Sequence, residues 1–156
     1  MTDSKIKIGI SLRITNAEQY SEKRDALSHD WTLFFEGINV FPVLIPNTIS
    51  NVREFLEKMQ LDGFLLSGGD NIGDNSDRDK TEQEIIRFGL DNNLPIFGVC
   101  RGMQAINKYF HGDIEILTNS KHVGKPHSVK IINSNFSSLL KTSSIEVNSY
   151  HNNIIK

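Results

Sequence analysis

The run Gly98-Val99-Cys100-Arg101-Gly102-Met103-Gln104 sets the only cysteine of the chain between two glycines, each two positions away. An apolar stretch precedes it and a helical pattern follows, so Cys100 is expected at the apex of a sharp strand-to-helix turn. A thiol placed there is pushed out of the sheet, near the positive end of the next helix and beside backbone N–H groups. These conditions favour a thiolate nucleophile. Gly98 and Gly102 stand where a Cβ would crowd the turn or the helix–sheet contact. The competing reading is a core cysteine with a packing role only, the usual fate of a lone cysteine; the paired glycines weigh against it.

A thiolate that attacks a carboxamide carbon creates a tetrahedral oxyanion, and the turn itself offers the Arg101 backbone N–H as one donor. Gly69, in Ser67-Gly68-Gly69-Asp70, is a candidate second donor, because glycine presents its N–H without side-chain obstruction; an ordinary tight turn is the alternative. A base must come from His29, His111, His122, His127 or His151. His29 lies in a polar segment and His111 just after an amphipathic helix, which makes both surface residues. His122 and His127 have Gly124 and Pro126 between them, which is not the spacing of metal ligands on a helix. No metal or other cofactor is assigned. His151 follows Val147-Asn148-Ser149-Tyr150, a strand end, and could border the same crevice as Cys100.

The positioning elements follow from periodicity. Lys5 to Leu12 suits a first strand, Trp31 to Phe35 anchors a first helix, and Asn39 to Pro46 is a second strand. Ser50 caps a helix that runs to Gln60, with Val52, Phe55, Leu56 and Met59 on one face. Asp62 to Ser67 is a strand ending in the glycine pair. Asp70 to Lys80 reads as a loop, as does Arg13 to Ser28. A helix over Thr81 to Leu90 and a strand over Leu94 to Val99 then deliver Cys100, and the helix after it stops at Gly112. This order implies an α/β fold with a doubly wound, mostly parallel sheet and helices on both faces. Ligands of such sheets bind beyond the strands' carboxyl ends, where the glycine pair and Cys100 both lie. Past Gly112 the rhythm changes. Val129 to Asn133 and Ser144 to Ser149 look like strands of a small antiparallel excursion, with room for a brief helix over Ser134 to Thr142.

With 156 residues and 38% apolar content, the chain suits one domain with a single core. Its net charge of −2 and pI near 6.2 provide no drive toward nucleic acid or an anionic membrane. One cysteine excludes an intrachain disulfide, and the N-terminus has no signal-peptide pattern or long apolar segment. A small-molecule partner and a reducing cytoplasm are the expectation.

Four segments, in order, resemble the class I glutamine amidotransferase-like superfamily, and more narrowly its γ-glutamyl hydrolase branch, the C26 peptidase type. They are Ser67-Gly68-Gly69-Asp70, Asp79 with Glu82, the Gly98 to Gln104 run, and Val147-Asn148-Ser149-Tyr150-His151. Cys-Arg-Gly-Met-Gln is the most specific of them, and together they span nearly the whole chain. The resemblance implies the flavodoxin-like glutamine amidotransferase fold, with Cys100 attacking a γ-glutamyl amide to give a thioester that water hydrolyses. It implies oxyanion donors from Gly69 and Arg101, and a pocket for the glutamyl α-amino and α-carboxyl groups lined by Asn148, Ser149, Tyr150 and His151. By the same resemblance Gln104 braces the elbow.

One departure stands out. The base of these proteins comes from a later His-x-Glu motif, and no His-x-Glu occurs in this sequence. The expectation is therefore a single domain over 1–156 that is incomplete at its C-terminal end. A natural remnant that binds without turnover and an enzyme that recruits another base are the alternatives. His151 is an inferior candidate base, since its motif matches the substrate pocket. An incomplete sheet would expose an edge and an apolar patch, which predicts association, as in a homo-oligomer, or low stability in isolation. Hydrolysis of a γ-glutamyl amide leads the functional readings; a glutaminase subunit feeding ammonia to a synthase partner and a catalytically silent γ-glutamyl-binding domain stand beside it. Two other elbow families fit less well: the chain is short for a thiol α/β-hydrolase, and Arg-Gly-Met-Gln argues against a redox relative. The leaving amine carries no decisive signature.

Overall fold

The strand Gly63–Leu66 shows how the sheet is made: Phe64 and Leu66 face one layer of helices and Leu65 the other, and all four residues are buried. The computed structural model describes residues 5–116, 124–151 and 153–156, and the chain divides into two compact units, Met1–Asp113 and Ile114–Lys156.

In the first unit the elements are β1 (Lys7–Ser11), β2 (Arg13–Asn16), β3 (Lys23–Ala26), α1 (His29–Gly37), β4 (Phe41–Ile45), α2 (Val52–Met59), β5 (Gly63–Leu66), α3 (Ser76–Asp91), β6 (Ile96–Gly98) and α4 (Arg101–Tyr109). Four strands form a sheet in the order β4-β1-β5-β6, and every pairing is parallel. Ile45, Leu56, Phe64, Leu66, Ile85, Ile86, Phe88 and Ala105 make the core between the sheet and α2, α3 and α4. Ile10, Leu65 and Phe35 make a smaller core with α1 on the opposite face, with Trp31 packed beside it. Each fully buried side chain of this size stabilises the fold by about 1.5–3 kcal/mol relative to exposure. The doubly wound α/β arrangement with helices on both faces is thus the one expected from the sequence.

Several local expectations need correction. Arg13 to Ser28 is not simply a loop: β2 and β3 pair antiparallel, with Arg13 opposite Ala26 and Asn16 opposite Lys23. The ribbon is mostly exposed and charged, so it carries none of the apolar alternation that marks a strand. Asp70 to Lys80 gives way to helix already at Ser76. The first turns of α3 carry Asp77 and Asp79, which suit the positive helix end, while Arg78, Thr81 and Glu82 are buried, so polar side chains fill the place of an apolar stripe. The cap of α2 is Asn51 rather than Ser50; its side chain accepts from the Glu54 N–H at 3.1 Å. After α4 the left-handed position is taken by His111, with φ of 63°, and not by Gly112. Gly112 is instead wedged against Asn107, whose Oδ1 fills the space that a Cβ would need.

The second unit comprises β7 (Ile114–Ile116), β8 (His127–Lys130), α5 (Ser134–Leu140), β9 (Ser144–Val147) and β10 (Asn153–Ile155). Among its described residues, β8 pairs with β9 and β7 with β10, both antiparallel. The antiparallel excursion and its brief helix are present, but the first strand lies earlier than Val129 to Asn133, and β7 and β10 carried no signal in sequence. No helix among the described residues is long and apolar enough to cross a membrane.

Candidate active site

β6 ends at Gly98 and α4 begins at Arg101, so two residues must reverse the chain's direction. Cys100 absorbs most of that change with φ 53° and ψ −109°, a conformation few L residues adopt. The flanking contacts hold it there. Val99 N–H donates to the Leu66 carbonyl at 2.9 Å, and Gly102 N–H donates to the Val99 carbonyl at 2.9 Å. A Cβ at Gly98 would sit 2.6 Å from the Gly102 carbonyl carbon and the Met103 nitrogen; one at Gly102 would collide with the Leu66 carbonyl. Both elbow glycines are therefore required by contact. Arg101, as the first residue of α4, has an N–H with no carbonyl of its own helix to bond.

The glycine pair lies against the cysteine. A Cβ built on Gly68 would be 3.5 Å from Cys100 Cβ and 4.0 Å from Sγ. Cys100 is half-buried, so its sulfur is not sealed in the core. Gly69 has φ of +129°, and a side chain there would collide with Arg78 Nη1 at 2.8 Å and Arg13 Cβ at 2.9 Å. Glycine is thus the residue that fits on both steric and conformational grounds.

A buried charged network joins the two turns. Glu82, 1% exposed, accepts from Ser11 Oγ at 2.8 Å and Arg78 Nε at 3.0 Å through Oε1, and pairs with Arg101 through Oε2. Arg101 also pairs with Asp79. From the other side Arg78 donates through Nη2 to the carbonyls of Ser67 at 2.9 Å and Gly68 at 3.0 Å. Ser11 completes the ring, donating nothing to Ser67 but accepting its N–H at 3.0 Å on Oγ and its hydroxyl at 2.7 Å on the main-chain oxygen. One carboxylate thereby links the residue after Cys100 to the arginine that grips the glycine turn. A buried pair of this kind costs desolvation, and its attraction repays that cost when the remaining donors and acceptors are matched.

The other expected site residues fall as follows. Gln104 is buried, and its N–H donates to the Cys100 carbonyl at 3.2 Å within the first turn of α4. Asn148, Ser149, Tyr150 and His151 lie in the second unit. Asn148 and Tyr150 are exposed, the Ser149 carbonyl accepts from Gly124 N–H at 2.7 Å, and His151 Nδ1 donates to the Asn153 carbonyl at 2.8 Å. His29 and His111 are exposed, as their settings implied, His127 opens β8, and His122 lies outside the described residues. Sequence reasoning missed Ser11 and Arg78. Arg78 sits in a stretch so polar that nothing set it apart from a solvated loop residue.

A cavity of about 570 Å³ between α2 and α3, lined in part by Asn47, Arg53, Lys80 and Arg87, includes no residue of the elbow or the glycine turn. A smaller cleft of about 100 Å³ does adjoin the turn, with Gly68 and Ser67 in its wall.

A parallel α/β sheet, a cysteine elbow and an adjacent glycine turn define a glutamine amidotransferase-like protein. The profile of the Peptidase C26 family matches residues 7–156, and the chain belongs to that family. A γ-glutamyl-CDP-amidate hydrolase of Campylobacter jejuni is 32% identical over 152 residues, covering 93% of this chain and 70% of the relative. A glutamine-hydrolysing GMP synthase of Bacillus cytotoxicus is 35% identical over 86 residues, which is 55% of this chain but 15% of that enzyme. Among solved structures, a Thermoplasma acidophilum protein assigned as a GMP synthase subunit superposes with a TM-score of 0.68 at 27% identity, covering 97% of this chain and 67% of the other. A Thermotoga maritima glutamine amidotransferase gives 0.68 at 14% identity, covering 97% and 62%, a likeness of fold.

Proposed function

We propose that this chain hydrolyses a γ-glutamyl amide through a thioester on Cys100. The observation that carries the reading is the nucleophile's position: a half-buried sulfur at a strained elbow, 4.0 Å from the Cβ position of Gly68. In the reaction, Sγ attacks the γ-carbonyl carbon and the oxygen becomes an oxyanion, which the Gly69 and Arg101 N–H groups stabilise. The C–N bond then breaks, the amine leaves with a proton, and a γ-glutamyl thioester remains. Water attacks this thioester, releasing glutamate and restoring the thiol. Asn148, Ser149, Tyr150 and His151 hold the glutamyl α-amino and α-carboxyl groups in this reading. Gln104 and the two elbow glycines hold the nucleophile. The amide-hydrolysing and glutamine amidotransferase relatives support the reaction class, and the γ-glutamyl-CDP-amidate hydrolase supports a γ-glutamyl substrate.

A second reading is a glutaminase subunit that delivers ammonia to a synthase partner, favoured by the likeness to GMP synthase. A panel of glutamine and γ-glutamyl amides separates the two. A stand-alone hydrolase releases amine from γ-glutamyl amides without a partner, whereas a subunit acts on glutamine and accelerates when the synthase is added. Both activities must vanish in Cys100→Ala. Release of amine by Cys100→Ala at the wild-type rate overturns the proposal, and specific ligand binding with no release identifies a silent binding domain.

A further inference from the structure

Arg78 is 0% exposed, and each of its guanidinium nitrogens is engaged. Nε donates to Glu82 at 3.0 Å, Nη1 to Asp70 at 3.4 Å, and Nη2 to the carbonyls of Ser67 at 2.9 Å and Gly68 at 3.0 Å. The last of these bonds decides the direction of an N–H. A peptide group is planar and trans, so its C=O and N–H point in opposite directions. The Gly68 carbonyl and the Gly69 N–H belong to one peptide. With the carbonyl held on Arg78, the N–H must face away from the guanidinium. That peptide joins two glycines, so its own residues offer little resistance to rotation. Among the described residues nothing accepts from the Gly69 N–H, and the Arg101 N–H has no acceptor either. Two unspent donors thus lie in the two turns that meet at Cys100. Glu82 takes Arg78 through one oxygen and Arg101 through the other, so the side chains behind both donors hang on one carboxylate. Apolar side chains of the same volume can match a buried ion pair in stability, so stability alone does not call for a guanidinium here. Fixing the direction of a peptide does.

We infer that Arg78 is a positioning residue: its grip on the Gly68 carbonyl makes the Gly69 N–H available as an oxyanion donor, and Glu82 keeps that grip aligned with Arg101. The inference rests on the hydrolase reading above, in which the Gly69 N–H meets the oxyanion, and it concerns residues of the first unit alone.

Arg78→Met keeps the length of the side chain and removes its donors, while Glu82 retains Arg101 and Ser11 as partners. Arg78→Lys returns a single point-like donor. Three measurements are made on the wild type and both variants. Residual dipolar couplings of isotopically labelled glycine report the direction of the Gly69 N–H. Release of p-nitroaniline from γ-glutamyl p-nitroanilide in a single turnover reports acylation of Cys100. Iodoacetamide alkylates the sulfur by displacing iodide, a step with no carbonyl oxyanion to stabilise. In Arg78→Met the Gly69 coupling is expected to change while those of Gly63 and Gly102 stay as they are. Acylation should fall about hundredfold, with substrate affinity and alkylation rate within about threefold of the wild type. Arg78→Lys should recover part of the lost acylation rate. An unchanged Gly69 coupling in Arg78→Met, or acylation that falls only in step with alkylation, overturns the proposal. Should neither variant fold, the wild-type coupling decides: it must match the N–H of a peptide whose carbonyl meets Arg78, and any other direction overturns the proposal. The hydrolase reading is scored on the wild type. Absence of Cys100-dependent p-nitroaniline release removes that reading, and with it the donor role; release that does not depend on Arg78 removes only the role of Arg78.

Discussion

At Cys100 the backbone holds φ 53° and ψ −109°, and an L residue kept there carries roughly 1–3 kcal/mol of strain. The fold tolerates it because the flanking glycines leave no other path from β6 into α4, and because the strained geometry lifts Sγ toward the glycine turn. Cys100→Gly should therefore be more stable than Cys100→Ala by about 1 kcal/mol or more, while both are inactive. Equilibrium urea unfolding of the two variants measures the difference; equal midpoints would mean that the elbow is not strained. Glu82 is the second residue on which the site depends. Glu82→Gln leaves Arg78 and Arg101 with only the partly exposed Asp70 and Asp79 as ionic partners, so a loss of about 3 kcal/mol is expected in the same assay. A loss within about 0.5 kcal/mol would show the network to be idle.

At the scale of elements, the site is the meeting of two strand ends, β5 running into Gly68-Gly69 and β6 running into Cys100, in adjacent parallel register. The closeness of α4 to β5 is set by Gly102, whose missing side chain lets the helix sit on the Leu66 carbonyl. Gly102→Ala must displace α4, at a cost of roughly 1–3 kcal/mol, and it should lower the rate of thioester formation more than it weakens ligand binding. Single-turnover kinetics beside direct titration distinguishes these; a loss confined to binding contradicts the geometry. Much of this arrangement was legible in sequence because β1, β4, β5 and β6 and the apolar faces of α2 and α4 follow the periodicities that burial imposes. The β2–β3 ribbon and the start of α3 were not, and the reason is physical. The ribbon buries little on either face, and the first turns of α3 bring Arg78, Thr81 and Glu82 inward, so that end of the helix is held by hydrogen bonds and ion pairs before Ile85, Ile86 and Phe88 take up the apolar core. Cys100 and the glycines could be found by type and spacing, and Glu82 only through the family resemblance. Ser11 acquires meaning only when β1 is laid beside the glycine turn.

Across the whole molecule, the parallel sheet of the described residues ends on β6, and Phe97 on that edge strand is 67% exposed. An apolar side chain on an open edge invites pairing between copies, and a charge there opposes it. Phe97→Lys is expected to raise the concentration at which light scattering reports association, with a change in unfolding free energy within about 0.5 kcal/mol. Association at the same concentration would place the sticky surface elsewhere. The proposed chemistry is centred on one sulfur, and the most direct test is the intact mass of the 156-residue protein after brief exposure to a γ-glutamyl amide and acid quench. The account predicts a mass gain of one glutamyl group on the wild type, absent from Cys100→Ala and removed by hydroxylamine as a thioester would be. A folded wild-type protein that releases the amine with no such adduct, or an adduct of equal yield on Cys100→Ala, would contradict it.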